Sequence, residues 1–401
     1  MTKTDQGFSP DNSVDIDVIR LELYTKEVVE LKNNFQELNI YCSMFTDGIT
    51  ATLIFNDNAN ITNNGPILGG EKVFVRWKSP MWPDWEEMMF KVDRVGGRVP
   101  TTFQSAVVML HLVSQTFYDA LAYNPSRGFK TQYSTVALKL WESAKFEKEL
   151  KSDPSFGINT IATAENKSIL STIDWLATRS KTADGLPFVF FEDIDYFNYA
   201  SWSRILKQTE SHVTLVHQPQ MTEETPEKAF RNILSIQFDG NRDGGEFSLL
   251  GLGGCNETIY DPLKKTTYLN SRSFEKFSKQ VPRLDKGVLT SKVEKTEMRR
   301  FCLAQYDGSQ DTAFNRAALN YALKNNSINI VTYGDNRMRL GSIAKVNLMS
   351  IQLQDNPELI PEKFFNGNML VTDLKHTIRP GEYRLYWKLT KESYSEEVTV
   401  R

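Results

Sequence analysis

Apolar and polar residues alternate with a period of two along much of this chain, the spacing of strands that bury one face. The longest case is GNMLVTDLKHTIRPGEYRLYWKLT, residues 367–390. Leu370, Leu374 and Ile378 share one parity, and after the break Tyr383, Leu385, Trp387 and Leu389 share one too. The break is Arg379-Pro380-Gly381-Glu382, where proline presets φ and glycine accepts a positive φ, so the stretch predicts a long antiparallel hairpin. An earlier stretch, MMFKVDRVGGRVPTTFQSAVVMLHLVS, predicts a second hairpin: one arm over residues 88–95, a crossing through Gly96-Gly97 and Pro100, and a return over 106–114. A Leu-Gly turn and a short alternating strand precede each hairpin, LGGEKVFVRW from Leu68 and LGSIAKVNLM from Leu340. The shared order predicts an internal duplication of a small antiparallel β-barrel, at domain-scale spacing and not as a solenoid repeat.

The remaining pattern divides the chain. MTKTDQGFSPDNS is polar without an apolar core and predicts a flexible arm over residues 1–13, neither a signal peptide nor a membrane anchor. Alternation in IDVIRLEL and FQELNIYCSMFTDGITATLIFND, with Asp47-Gly48 as a hairpin signal, predicts the first barrel over residues 14–115. The period then changes. Ala137, Leu140, Trp141 and Ala144 lie on one helical face, as do Ile169, Ile173, Leu176 and Ala177, whose helix is expected to stop by Gly185. LPFVFFEDIDYFNYASW predicts a hairpin, followed by a short helix near residues 203–207, and the whole makes an α+β middle domain over 116–205. Alternation returns in HVTLVHQ and FRNILSIQF, breaks at a polar, Gly-rich stretch from Asp239, and resumes with a helical run and the strands INIVTY and AKVNLM. This predicts a second barrel built from residues 206–245 and 301–396, split by an inserted domain at 246–300 that lies outside the barrel.

Composition narrows the function classes. The chain has 401 residues, 40% hydrophobic and 24% charged, with a net charge of -3: an ordinary soluble composition with room for several domains. Without Lys/Arg blocks it does not read as a protein that grips phosphate backbones. Aromatic runs such as FVFFEDIDYF lack interleaved Arg and Lys, so they read as strand cores, not base-stacking platforms. Cys42, Cys255 and Cys302 are too widely spaced for a disulfide framework or a Cys-based zinc site, which points to a reducing compartment. No apolar run approaches the length that spans a bilayer, and the sequon Asn60-Ile61-Thr62 carries no meaning in that setting.

Catalytic patterns are scarce. His212 and His217 are five apart in a predicted strand and so point to opposite faces, which argues against joint metal ligation. His376 shares parity with Leu374 and Ile378 and reads as a core histidine; His111 completes the set of four. GLGG at 251–254 lacks the third glycine of a dinucleotide fingerprint and the Lys-Ser/Thr of a P-loop, so it reads as a surface loop. Glu192, Asp193 and Asp195 form the nearest approach to a carboxylate site, and as a hairpin tip they are expected to be solvated. No catalytic, cofactor or metal residue is assigned, and the chain is read as a non-enzyme.

Three stretches resemble the central baseplate hub proteins of contractile-tailed bacteriophages and the related hub modules of type VI secretion spikes. They are ITATLIFND with GPILGGEKVFVRWKSP, then TIDWLATRSKTADGLPFVFFEDIDYFNY, then LAQYDG with the closing hairpin. The resemblance implies two tail-tube-like barrels per chain and a homotrimer, hence six similar units in a ring that joins a threefold central spike to a sixfold tail tube. It also implies a virion location after assembly in the host cytoplasm. The implied partners are the spike protein, the tube protein, a tape measure protein and baseplate wedge proteins, with DNA passing transiently through the channel and no membrane insertion. A channel for DNA is expected to be neutral to acidic. Asp373, Lys375, Arg384 and Lys388, on the outward parity of the last hairpin, are mixed in sign and fit a subunit contact better than a lumen. Two other readings stay open: a cell-wall glycan hydrolase using Glu192 and Asp195, and a receptor- or carbohydrate-binding tail protein using exposed aromatics.

Overall fold

The computed structural model describes residues 13–58, 60–65, 67–102, 105–163, 167–217, 226–239, 244–285, 298–304, 309–349, 362 and 364–393. The class is as the alternation predicts: mainly antiparallel strands, with an α+β block in the middle of the chain.

The first arc contains β1 (Asp15–Glu22), β2 (Val28–Glu30), β3 (Phe35–Ser43), β4 (Thr50–Asp57), the single turn α1 (Ile61–Asn64), β5 (Lys72–Lys78), β6 (Glu86–Thr102) and β7 (Ser105–Ser114). Asp47-Gly48 lies between β3 and β4, and the strands lie side by side in the order β3-β4-β7-β6-β5-β1-β2. One expectation fails here. The chain does not cross at Gly96-Gly97 and Pro100, because β6 runs through all three and slips register after Val92, Val95 and Pro100. Bulges absorb the extra residues. At Gly96 the absence of a side chain leaves room for the His111 ring, 2.5 Å from where a Cβ would sit.

The middle block holds α2 (Gln115–Leu121), β8 (Gly128–Thr131), α3 (Tyr133–Ala144), β9 (Leu150–Ser152), β10 (Asn159–Ala162), α4 (Ile169–Arg179), β11 (Phe188–Glu192), β12 (Phe197–Ser201) and α5 (Trp202–Leu206). The predicted apolar faces of α3 and α4 pack with Phe188, Phe190, Phe197 and Tyr199 in a core of their own. Val189 and Phe191, on the opposite parity of β11, join the main core. Burial on both faces explains why this strand reads as an unbroken apolar run.

The second arc adds β13 (Val213–Val216), α6 (Pro226–Arg231), β14 (Ser235–Asp239), α7 (Gly244–Leu249), β15 (Cys255–Asp261), β16 (Thr266–Arg272), α8 (Phe274–Ser278), β17 (Met298–Leu303), α9 (Ser309–Asn325), β18 (Ser327–Tyr333), β19 (Ile343–Asn347), β20 (Gly367–Arg379) and β21 (Glu382–Thr390). In space β14-β18-β21-β20-β19 repeats β3-β4-β7-β6-β5, and in chain order the two sets are threaded alike. The match extends to single residues. The Val92 carbonyl accepts from Gly70 N–H at 2.7 Å and the Val371 carbonyl from Gly341 N–H at 2.9 Å. Register slips immediately after each valine. The flanking strands differ, since β1 lies antiparallel to β5 whereas β13 lies parallel to β19.

The expected barrels enter the fold as arcs of one thirteen-stranded sheet, because β20 is long enough to serve both. Two further expectations are corrected. Ser13 is no part of a free arm: it is buried, its N–H donates to Gly381 O at 3.0 Å and its hydroxyl accepts from Tyr383 N–H at 2.8 Å, while residues 1–12 lie outside the described residues. The described residues of the 246–300 stretch are not an external excursion either. Phe247, Leu252, Cys255, Phe274, Phe277 and Leu284 are buried in the same core as the arcs, and β17 continues past residue 300, pairing in parallel with β15. Leu249, Leu263 and Leu269 of the stretch stay exposed, and it is the buried apolar residues just named that tie it to the core.

Candidate functional site

The two arcs meet where β20 exchanges partners. Its first residues pair with β19 as far as Leu370, and Asp373 to Ile378 pair with β3. The exchange takes one residue: Val371 N–H still donates to Ser342 O at 2.9 Å, while Thr372 O already accepts from Met44 N–H at 2.9 Å. Across the seam Thr377 Oγ1 donates to Asn39 Oδ1 at 2.8 Å. His376 faces Ile40, is fully buried, and has Nδ1 2.7 Å from the Tyr383 hydroxyl. Burial pushes its pKa down to about 3, with the Arg339 charge adding to the effect. It is the core histidine its parity predicts.

The tip of the β11–β12 hairpin locks this seam to the middle block. Its acidic residues are not solvated as expected: Glu192 and Asp193 are buried, and only Asp195 is exposed. Glu192 accepts from Ile49 N–H at 2.8 Å, Ser114 Oγ at 2.7 Å and Lys148 Nζ at 2.7 Å. Three donors satisfy the buried charge, which would otherwise be costly. Asp193 is held by Ile194 N–H at 2.9 Å, and burial raises its pKa to about 6. Asp195 receives Arg339 Nε at 2.7 Å, and the same guanidinium donates through Nη2 to Glu86 Oε1 at 2.8 Å. Burial works against the Arg339 charge, and the two carboxylates outweigh it, so its pKa is raised. First arc, middle block and second arc are thus joined through one side chain. Nothing local in the sequence marks Arg339, Glu86 or Lys148, because their partners are distant along the chain.

The other candidates stand apart. His212 and His217 flank β13, their N–H groups donating to Ile343 O at 2.8 Å and Asn347 O at 3.0 Å. His111 lies on β7 over Gly96. GLGG is no surface loop, since Gly251 and Leu252 are buried and Gly251 takes a φ of 68°. Cys42 and Cys255 are buried and Cys302 is half-buried, all as free thiols. Among the described residues no three His, Cys, Asp or Glu side chains are grouped so as to hold a metal ion, and no helix is long and apolar enough to cross a membrane. A groove of about 520 Å³ runs over the seam between Tyr41, Gln237, Asp373, Lys375 and Tyr386. Lys375 lies over both tyrosine rings, at 5.4 and 5.2 Å. A smaller cavity of about 260 Å³ opens beside Asp193, Arg204, His212 and Arg339. The AQYDG stretch falls at residues 305–308, outside the described residues, except for Ala304.

The fold is matched by solved structures. A tail protein from Neisseria meningitidis MC58 superposes over 94% of this chain and 96% of its own, with a TM-score of 0.57 at 9% identity. The 43 kDa tail protein of prophage MuSo2 from Shewanella oneidensis superposes over 94% of this chain and 98% of its own, with a TM-score of 0.58 at 9% identity. At such identities the likeness is one of fold, and the fold agrees with the resemblance to baseplate hub proteins. No protein-family model matches the chain. No curated protein matches it in sequence.

Proposed function

We propose that the chain is a structural hub of a phage tail baseplate, a trimer whose two arcs per chain form a ring of six similar units between a threefold central spike and a sixfold tail tube. The observation that carries this reading is the repetition of one five-strand order, with the same bulge, inside a chain whose fold is that of tail proteins. A closed trimer with one contact unit per chain offers threefold symmetry alone; two similar units per chain let it present three- and sixfold faces at once. The seam and the Arg339 junction suit such a part, since both hold the arcs rigidly to each other and to the middle block. On this reading the partners are the spike, tube, tape measure and wedge proteins, and DNA passes the channel without being held. Its place is the virion tail, after assembly in the host cytoplasm, and it has no catalytic role or cofactor.

Light scattering of the purified protein, together with averaged electron micrographs, tests the reading. The expected result is a trimer with six lobes around an open channel. A monomer, or a compact particle without a channel, overturns it.

A further inference from the structure

The seam inside the chain has an unfilled counterpart at its two ends. Because the arcs are threaded alike, their registers put Val92 on Val371, Arg94 on Asp373, Gly97 on Lys375 and Val99 on Thr377. The same registers put Asn39 on Gln237, Ile40 on Phe238 and Tyr41 on Asp239. In the seam β20 uses the outer edge of β3. The equivalent outer edge of β14 pairs with nothing among the described residues, since β14 is the last strand of the sheet's order and bonds only β18. The β20-like edge of β6 is open as well: β5 covers it only to Lys91, and beyond Val92 no backbone partner occurs among the described residues.

Burial at equivalent positions points the same way. Thr377 and Asn39 are 6% and 4% exposed in the seam, whereas their counterpart Val99 is 63% exposed and Gln237 is exposed. Ile40 is fully buried and its counterpart Phe238 is 43% exposed. Long open edges with exposed apolar residues are templates for strand addition. The two edges here are the two halves of a contact that the chain already makes once with itself.

We propose that the partner for these edges is a second copy of this chain, with β14 of one copy pairing antiparallel to β6 of the next, Asp239 opposite Gly97, Phe238 opposite Arg98 and Gln237 opposite Val99. The inference rests on the ring reading and adds where the copies meet. Arg98 and Phe238 then share one face of the ladder, and Asp239 lies opposite Gly97 on the other face. Pro100 has no N–H to donate, which ends the ladder and blunts the edge against longer, indiscriminate pairing. The contact between copies becomes the same as the contact between arcs, so a ring of two-unit chains closes as a ring of single units would.

The experiment is a disulfide trap in a Cys302→Ser background, which leaves the buried Cys42 and Cys255. Val99→Cys with Gln237→Cys, oxidised at a concentration where light scattering reads a trimer, is expected to give covalent dimers and trimers on a non-reducing gel. Each single variant, and the out-of-register pair Val95→Cys with Gln237→Cys, is expected to give at least tenfold less. A trimer that yields no in-register cross-link overturns the pairing and leaves the ring reading standing; a monomer overturns the ring reading and the pairing with it. Hydrogen exchange on the unmodified protein needs no variant: residues 94–99 and 235–239 should slow together by at least tenfold on assembly, and fast exchange of either segment in the trimer also overturns the pairing.

Discussion

Arg339 reaches Glu86 across 253 residues of chain, Nη2 to Oε1 at 2.8 Å, and holds Asp195 with the same guanidinium. Glu86 is 9% exposed, and burial raises its pKa against the pull of Arg339. Replacing Arg339 by Met therefore leaves a nearly buried carboxylate without its cation, at a cost of about 2–4 kcal/mol after allowing for partial exposure. Urea denaturation should read that loss, and adding Glu86→Gln to the variant should recover part of it. Additive losses would mean that the two groups act independently.

Glu192 is the acid that a glycan hydrolase would need, and its three donors leave it no open side. Glu192→Ala is expected to destabilise by about 3–5 kcal/mol, because Lys148 loses its charged partner in a buried setting. Glu192→Gln should cost less. Neither the wild-type protein nor the variants should release soluble fragments from cell-wall glycan, and release that disappears in Glu192→Gln would reinstate the enzymatic reading.

Period-two alternation marks the strands of both arcs, since each buries one face, and the closing hairpin of the second arc turns at Pro380-Gly381 as expected. It was not enough at Gly96-Gly97, where glycines that permit a bulge look like glycines that permit a turn. The carboxylates at the hairpin tip misled for a similar reason. Acidic residues at a turn are ordinarily solvated, and only the distant Ile49, Ser114 and Lys148 reverse that for Glu192, while Asp195 stays exposed and pairs with the equally distant Arg339. Long-range partners of this kind leave no periodic trace. The seam is of the same type, because nothing in the texture of β20 says that its second half pairs with a strand more than three hundred residues earlier, as the Thr377–Asn39 separation of 338 records.

Acid should weaken the seam through His376. Its folded pKa is about 3, below the ordinary value of about 6.5. The folded protein thus binds fewer protons than the unfolded chain in that interval, and the stability tied to a neutral ring is complete above about pH 6.5 and is lost as pH falls toward the folded value. His376→Gln can keep a hydrogen bond to Tyr383 without titrating. The variant should gain on wild type by about 1.4 kcal/mol for each unit below pH 6.5, with the difference constant above about pH 7. Denaturation curves at a series of pH values check this, and a pH-independent difference would show that His376 does not set the slope.

The Gly-rich stretch after Asp239 gives the last prediction. Leu252 is fully buried, and Gly251 before it takes a φ of 68° with the Met298 sulfur 2.8 Å from where a Cβ would stand. A loop hanging free would tolerate changes at both positions, since loop length and surface composition affect stability only weakly. In this fold Leu252→Ala should cost about 2–5 kcal/mol, the range for an emptied core site. Gly251→Ala should cost about 1–3 kcal/mol from backbone strain, more if Met298 cannot move aside. Deleting the stretch between α7 and β15 should also separate β17 from the arcs, because Met298 N–H donates to Gly254 O at 2.8 Å where that sheet begins. Thermal denaturation of the three variants distinguishes the cases: near-wild-type midpoints throughout would place residues 246–254 outside the core after all.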